Sequence, residues 1–172
     1  MSKFRLQFLL CLLPFLASAQ KTYIHCGRLI DGVAGTARTD VTIVVEGKRI
    51  IAIKDGPVTG GKSDNTIDLS NKTVLPGLID CHVHLEDLFN KNSFAEGFRM
   101  TDADIAFHSA VYAKTTLMAG FTTVRDLGGT GVNIALRNAI EKGLTEGPHM
   151  LTAGHALSAS GGHMDPTVGL RE

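Results

Sequence analysis

The chain has 172 residues, room for one ordinary domain, and 44% of them are hydrophobic against 20% charged, which excludes a wholly disordered or collagen-like polypeptide. Lys plus Arg and Asp plus Glu each total 17, so the formal net charge is zero and general nucleic-acid binding, which needs a basic excess to neutralise phosphates, is disfavoured. Three cysteines are too few for a disulfide scaffold.

Residues 1–19 read as an export signal. Lys3 and Arg5 precede an apolar run from Phe8 to Leu16, and Ala17, Ser18 and Ala19 put small residues at both specificity positions of a cleavage site. The run is short for a membrane span, and an uncleaved anchor is the competing reading. Leu10 rather than a small residue precedes Cys11, which disfavours lipidation. Cleavage after Ala19 removes two basic residues, leaving 17 − 2 = 15 against 17 acidic ones, a net charge of −2. The mature protein is expected outside the cytoplasm, periplasmic or secreted, touching a membrane only during export. Cys26 and Cys81 are expected to stay unpaired.

Residues 20–75 predict a small β module. Thr22–Cys26 is a first strand, and Val41–Val45 and Arg49–Ile53 flank the turn Glu46–Lys48 as a hairpin. Ile67–Leu69 and Thr73–Leu75 predict two further short strands. The module is too small to bury much core alone and is expected to pack on something larger. From Pro76 the rhythm alternates. Gly77–Asp80 predicts a strand, and 85–100 a loop or short helix. Thr101, with Asp104 three residues on, predicts an N-cap, followed by a helix with apolar positions at Ile105, Ala106, Ala110, Ala113, Leu117 and Met118. Phe121–Val124 predicts a strand, Ile134–Glu141 a helix, and Pro148–Thr152 a third strand running into a Gly-, Ser- and His-rich loop, 153–165. That order indicates parallel β/α units.

His82 and His84 carry the chemistry. Residues i and i+2 of a strand face the same side, about 6–7 Å apart by strand rise. Neutral imidazoles are good ligands for zinc and similar divalent ions. The pair follows an apolar strand, at the carboxyl mouth of a parallel sheet, where α/β enzymes place their sites. By the same alternation Asp80 shares that face and could orient an imidazole from behind, whereas Cys81 faces away and reads as packing. Two surface or hydrogen-bonded histidines with no metal is the competing reading of His82 and His84.

Residues 75–85 (Leu75 to Leu85, containing His82 and His84), 119–129 (Ala119 to Gly129), Gly147-Pro148 and Gly161–His163 resemble the amidohydrolase superfamily of metal-dependent hydrolases. The likeness is to the branch holding imidazolonepropionase-like enzymes and Xaa-Pro dipeptidase-like enzymes. Residues 27–32 and 46–50 are similar to that family's small β module. The resemblance implies a (β/α)8 barrel of TIM type preceded by a small β-sandwich, and a site of one or two divalent ions, usually zinc. A barrel of that kind typically takes about 250 residues. The chain therefore reads as an N-terminal fragment: residues 1–19 signal, 20–75 β module, 76–172 the first three β/α units.

The resemblance implies that His82 and His84 are metal ligands, that Asp126 closes the second barrel strand in a structural role, and that His163 meets substrate. No catalytic acid or base falls within these residues, because the family's remaining ligands come later in the barrel. His149 stands where this branch often has Arg. His155, His108 and His25 read as non-functional, the last two partly packed. The implied reaction is hydrolysis of a C–N bond in a small peptide such as a dipeptide, by water that a divalent metal makes available as hydroxide near neutral pH. Two imidazoles half-fill a tetrahedral shell, so the isolated fragment is expected to be inactive. A cyclic-amide hydrolase and an exported, non-catalytic metal-binding protein are the competing readings. A homo-oligomer stays open.

Overall fold

The computed structural model describes residues 20–88, 90–162, 164 and 165. The signal read at 1–19 and the substrate contact read at His163 lie outside the described residues. The chain forms two compact units, one ending at Leu75 and the other beginning at Pro76.

The first unit is a four-stranded sheet of β1 (Lys21–Leu29), β2 (Arg38–Glu46), β3 (Arg49–Asp55) and β4 (Asn65–Val74), in the order β3-β2-β1-β4. β2 and β3 pair antiparallel around a two-residue turn, with Glu46 opposite Arg49, while β4 runs parallel to β1. Cys26, Leu29, Val41 and Ile43 are buried together, and Ile24, Val45, Ile53 and Val74 pack on them. Burial pushes the Cys26 thiol above its ordinary value and keeps it protonated. On buried Thr42 the hydroxyl donates to the Gly56 carbonyl at 2.7 Å and accepts the Val58 amide at 3.0 Å. His25 Nε2 bonds the Val58 carbonyl at 2.8 Å, in keeping with its packed reading.

The described residues of this unit form one sheet. One expectation is corrected here. The two short strands read at 67–69 and 73–75 are parts of one strand, β4. Its pairing with β1 shifts between Cys26 and Arg28, where Leu69 and Thr73 are the successive partners, so Ser70, Asn71 and Lys72 form the irregularity. An edge strand bonds a neighbour on one side only and leaves side chains in water, so this polar stretch continues the strand although its composition reads as a break.

In the second unit β5 (Leu78–Val83), β6 (Phe121–Asp126) and β7 (His149–Thr152) form an all-parallel sheet in that order. The connections carry α1 (Ser93–Glu96), α2 (Asp102–Met118) and α3 (Val132–Glu141). The core is Leu85, Ala113, Val124, Leu136 and Met150, with Val83, Ala110, Phe121 and Ile140 against it. Val124 from β6 and Met150 from β7 are paired in register and buried, which sets the helix-covered face of the sheet. Parallel strands with helical crossovers put every loop that follows a strand at one edge, and the site is built from those loops.

α2 begins as its sequence predicts. The Thr101 side chain accepts from the Asp104 amide while the Asp104 carboxylate accepts from the Thr101 amide at 2.9 Å, a reciprocal capping box. The Thr101 hydroxyl and amide hold the Asp104 carboxyl below the usual aspartate value. A folded-state value depressed in this way stabilises above the unfolded value and ceases to do so as pH falls through the folded one. Thr101→Ala is expected to lower stability by about 1 kcal/mol at neutral pH, and by less in acid, where Asp104 is protonated in both proteins. Urea unfolding at the two pH values measures the difference. His108 lies exposed on α2, stacked edge-on to Tyr112 rather than packed into the core. Met118 is 77% exposed although its spacing placed it on the core stripe.

Candidate metal centre and its loops

His82 is the penultimate residue of β5 and His84 follows the strand's end. Their ring centroids lie 5.4 Å apart at an interplanar angle of 73°. Both rings line one cavity of about 430 Å³, together with Leu127, Ala153, His155 and Met164. The structure thus brings the two predicted ligands to the carboxyl edge of the sheet, beside the loops that follow β6 and β7.

The hydrogen bonding of His84 decides which of its nitrogens can ligate. Nδ1 lies 2.7 Å from the carbonyl oxygen of Gly128. A carbonyl only accepts, so Nδ1 carries the proton and, in the neutral ring, Nε2 presents a lone pair. A backbone carbonyl behind the imidazole is the orienting contact a metal-ligating histidine ordinarily has. The donor set fits part of a zinc shell. Among the described residues no group of three or more His, Cys, Asp or Glu side chains comes together.

Asp80 sits differently from its reading. Its carboxylate accepts the backbone amide of His82 at 3.0 Å, a bond to the main chain and not to a ring. The pairing of β5 with β6 also slips between Asp80 and Val83. Alternation therefore does not carry across that step, and the shared face of Asp80 with the histidines loses its basis. Cys81 is exposed, with a free thiol, and so is not packing. Its carbonyl accepts from Arg125 Nε at 2.7 Å.

Asp126 is the buried centre of the loop structure, 1% exposed. One carboxylate oxygen accepts the Leu85 amide at 2.9 Å, and the other accepts the Gly128 amide at 3.1 Å and Asn133 Nδ2 at 3.0 Å. It thereby ties the residue after His84 to the residue whose carbonyl holds His84. Asn133 extends the tie by donating to the Gly154 carbonyl at 3.0 Å. Gly128 has a φ of +145°, and a Cβ there would lie 2.6 Å from Ala156, so only glycine lets this peptide offer its amide to Asp126 and its carbonyl to His84.

Two contributors escaped the sequence reading. Glu86 accepts the Thr130 and Asn133 amides, each at 2.6 Å, and so caps the start of α3. Gly131, at the N-cap, has no side chain to do so. His155, read as non-functional, lines the same cavity as His82 and His84 and also a larger one of about 880 Å³ that includes His84, Glu86 and Met100. Its place in a Gly- and Ser-rich loop gave no periodic signal. His149 is exposed at the start of β7, paired with Thr123.

The model of the amidohydrolase family matches residues 73–169, more than half of the chain. Ochratoxinase of Aspergillus niger is 30% identical over 152 residues, which are 86% of this chain and 31% of that protein. A crystal structure of a Xaa-Pro dipeptidase with methionine bound in its active site superposes with a TM-score of 0.81 at 38% identity, covering 88% of this chain and 37% of that one. A prolidase complexed with N-methylphosphonate-L-proline gives a TM-score of 0.71 at 34% identity, over 84% of this chain and 34% of the other. The chain spans about a third of the length of these relatives.

Proposed function

The chain belongs to the amidohydrolase family, and from that premise we propose that it contributes the first metal-ligand pair of an exported, metal-dependent hydrolase that cleaves C–N bonds in small peptides such as dipeptides. The observation that carries this reading is His84, whose Nδ1 is committed to the Gly128 carbonyl while His82 stands beside it on the same cavity. In this reading the sheet of β5, β6 and β7 supplies the first three units of a (β/α)8 barrel, and the first unit belongs to a small β-sandwich. The Xaa-Pro dipeptidase and prolidase likenesses support a dipeptide as substrate. The signal read at residues 1–19 supports action outside the cytoplasm.

His82 and His84 would hold the metal through neutral imidazoles, and zinc suits nitrogen donors. A divalent ion so held supplies Lewis acidity and makes hydroxide available near neutral pH. Asp126 keeps the two loops in register and takes no part in the chemistry. His163, which follows β7 in the sequence, would meet the substrate. Two imidazoles leave a tetrahedral shell half-filled, so the 172 residues alone are expected to turn over peptide slowly or not at all.

The test is a chimera in which residues 20–165 replace the matching third of the Xaa-Pro dipeptidase chain. It is expected to hold metal and hydrolyse dipeptides, and to lose both when His82→Ala and His84→Ala are introduced. A folded chimera whose metal content is indifferent to the double substitution would refute the ligand assignment. Turnover of a cyclic amide in preference to dipeptides would transfer the substrate class to the competing reading.

A further inference from the structure

We propose that Glu86 is a positioning residue. By capping α3 through the Thr130 and Asn133 amides, it fixes the loop that presents the Gly128 carbonyl to His84, and so selects the His84 tautomer protonated at Nδ1. The usefulness of that tautomer rests on the reading of His84 as a metal ligand; the selection itself does not.

The geometry runs in a closed circuit. His84 and Glu86 are two residues apart on the segment leaving β5. Their partners, Gly128 O and the Thr130 amide, are also two residues apart on the segment leaving β6. The ring grips one end of the second segment and the carboxylate grips the other, so neither contact can shift without moving its counterpart. The carboxylate is well placed to hold. It meets two amide donors at the start of a helix, where unpaired N–H groups and the helix dipole both favour an anion. Both bonds, at 2.6 Å, are short for N–H···O contacts. Gly129 leaves the room for it: a Cβ there would come within 2.4 to 2.6 Å of the Glu86 carboxyl atoms.

A cap that only stabilised α3 would not care which nitrogen of His84 carries the proton. In an unconstrained neutral imidazole Nε2–H is the favoured form, so Nδ1–H at His84 must be imposed by the Gly128 carbonyl. Releasing the loop from Glu86 should therefore return the ring toward Nε2–H.

The experiment uses the metal-free 172-residue protein labelled with ¹⁵N-histidine at mildly alkaline pH. Long-range ¹H–¹⁵N correlation distinguishes protonated from unprotonated ring nitrogens, with His84 assigned from the signals absent in His84→Gln. The native protein is expected to show His84 protonated at Nδ1. Glu86→Ala removes the carboxylate. Gly129→Ala evicts it while keeping its charge. Both are expected to shift His84 toward Nε2–H, with Glu86→Gln, which retains one acceptor, in between. Thr101→Ala, which weakens the cap of α2 instead, controls for loss of stability and is expected to leave the tautomer alone.

Zinc affinity, read by competition with a chromophoric chelator, is expected to fall about 10–100-fold in Glu86→Ala, as is usual when the support behind a ligand is lost. His84 unchanged at Nδ1–H in folded Glu86→Gln or Gly129→Ala protein would overturn the proposal, as would an equal shift in Thr101→Ala. A tautomer that responds as expected in a protein with no affinity for zinc would sustain the role of Glu86 and refute the ligand reading alone.

Discussion

Asp126→Ala is expected to cost about 3–5 kcal/mol of folding stability, the largest single-residue loss in the second unit outside its apolar core. The substitution removes one buried carboxylate and orphans three donors at once: the Leu85 amide, the Gly128 amide and Asn133 Nδ2. An unsatisfied buried donor costs about 1–3 kcal/mol, and water entering the space left by the carboxylate recovers part of the sum. Asn133 is affected twice, because its Oδ1 lacks a partner among the described residues, and the bond to Asp126 is one of two described bonds that hold its amide. Asp126→Asn retains the size and one acceptor but points an amide at a donor, so its loss is expected to be smaller. Urea unfolding measures both; with slopes of about 1–3 kcal/mol/M, the alanine variant should show a midpoint lower by more than about 1 M. A loss under about 1 kcal/mol would mean that the three donors are satisfied elsewhere and that Asp126 does not organise the loops. The consequence also reaches the site, since the Gly128 peptide is held by Asp126 at its amide while its carbonyl holds His84.

What the sequence could reveal of this arrangement follows from the range of each interaction. The pair His82 and His84 was legible because its placement depends on one strand and a spacing of two. The capping box of Thr101 and Asp104 was legible for the same reason, being complete within four residues. Asp126 was placed by family likeness, and the structure adds its three donors. Glu86 was not legible. Its partners lie 44 and 47 positions away, and a glutamate after a strand looks like any solvated loop residue. Asp80 shows the converse error: the periodicity that placed it beside the histidines was sound for a regular strand, and an irregular pairing with β6 removed its premise. The continuous β4 was hidden in a similar way, because exposed edge positions let polar residues stand where a composition rule expects a break. Local periodicity is thus readable, whereas contacts between loops depend on the register of strands that meet only after folding.

His84→Ala is expected to abolish measurable zinc binding by the 172-residue chain, with a fall of at least about 100-fold. Loss of a ligand should exceed the 10–100-fold typical of losing the group behind one. His82 and His84 adjoin at 5.4 Å between ring centroids, so each supplies half of the paired donors and one imidazole of that pair binds no better than a surface one. His155 lines the same cavity but, among the described residues, forms no three-residue ligand group with them. His82→Ala is expected to match it in affinity and to differ in structure. His82 has no carbonyl partner of its own among the described contacts, whereas the His84 ring is tied to the Gly128 carbonyl, so its removal frees a loop as well as a coordination site. His84→Ala should therefore also raise amide exchange in residues 127–131, and His82→Ala should leave it unchanged. Chelator competition gives the affinities and hydrogen exchange followed by mass spectrometry gives the loop. Equal zinc affinity in native and His84→Ala protein would mean that the ring's open nitrogen faces no metal and that its bond to Gly128 is structural alone. Reduced affinity without faster exchange would assign the loop's rigidity to Asp126 and Glu86, which grip it at its two ends.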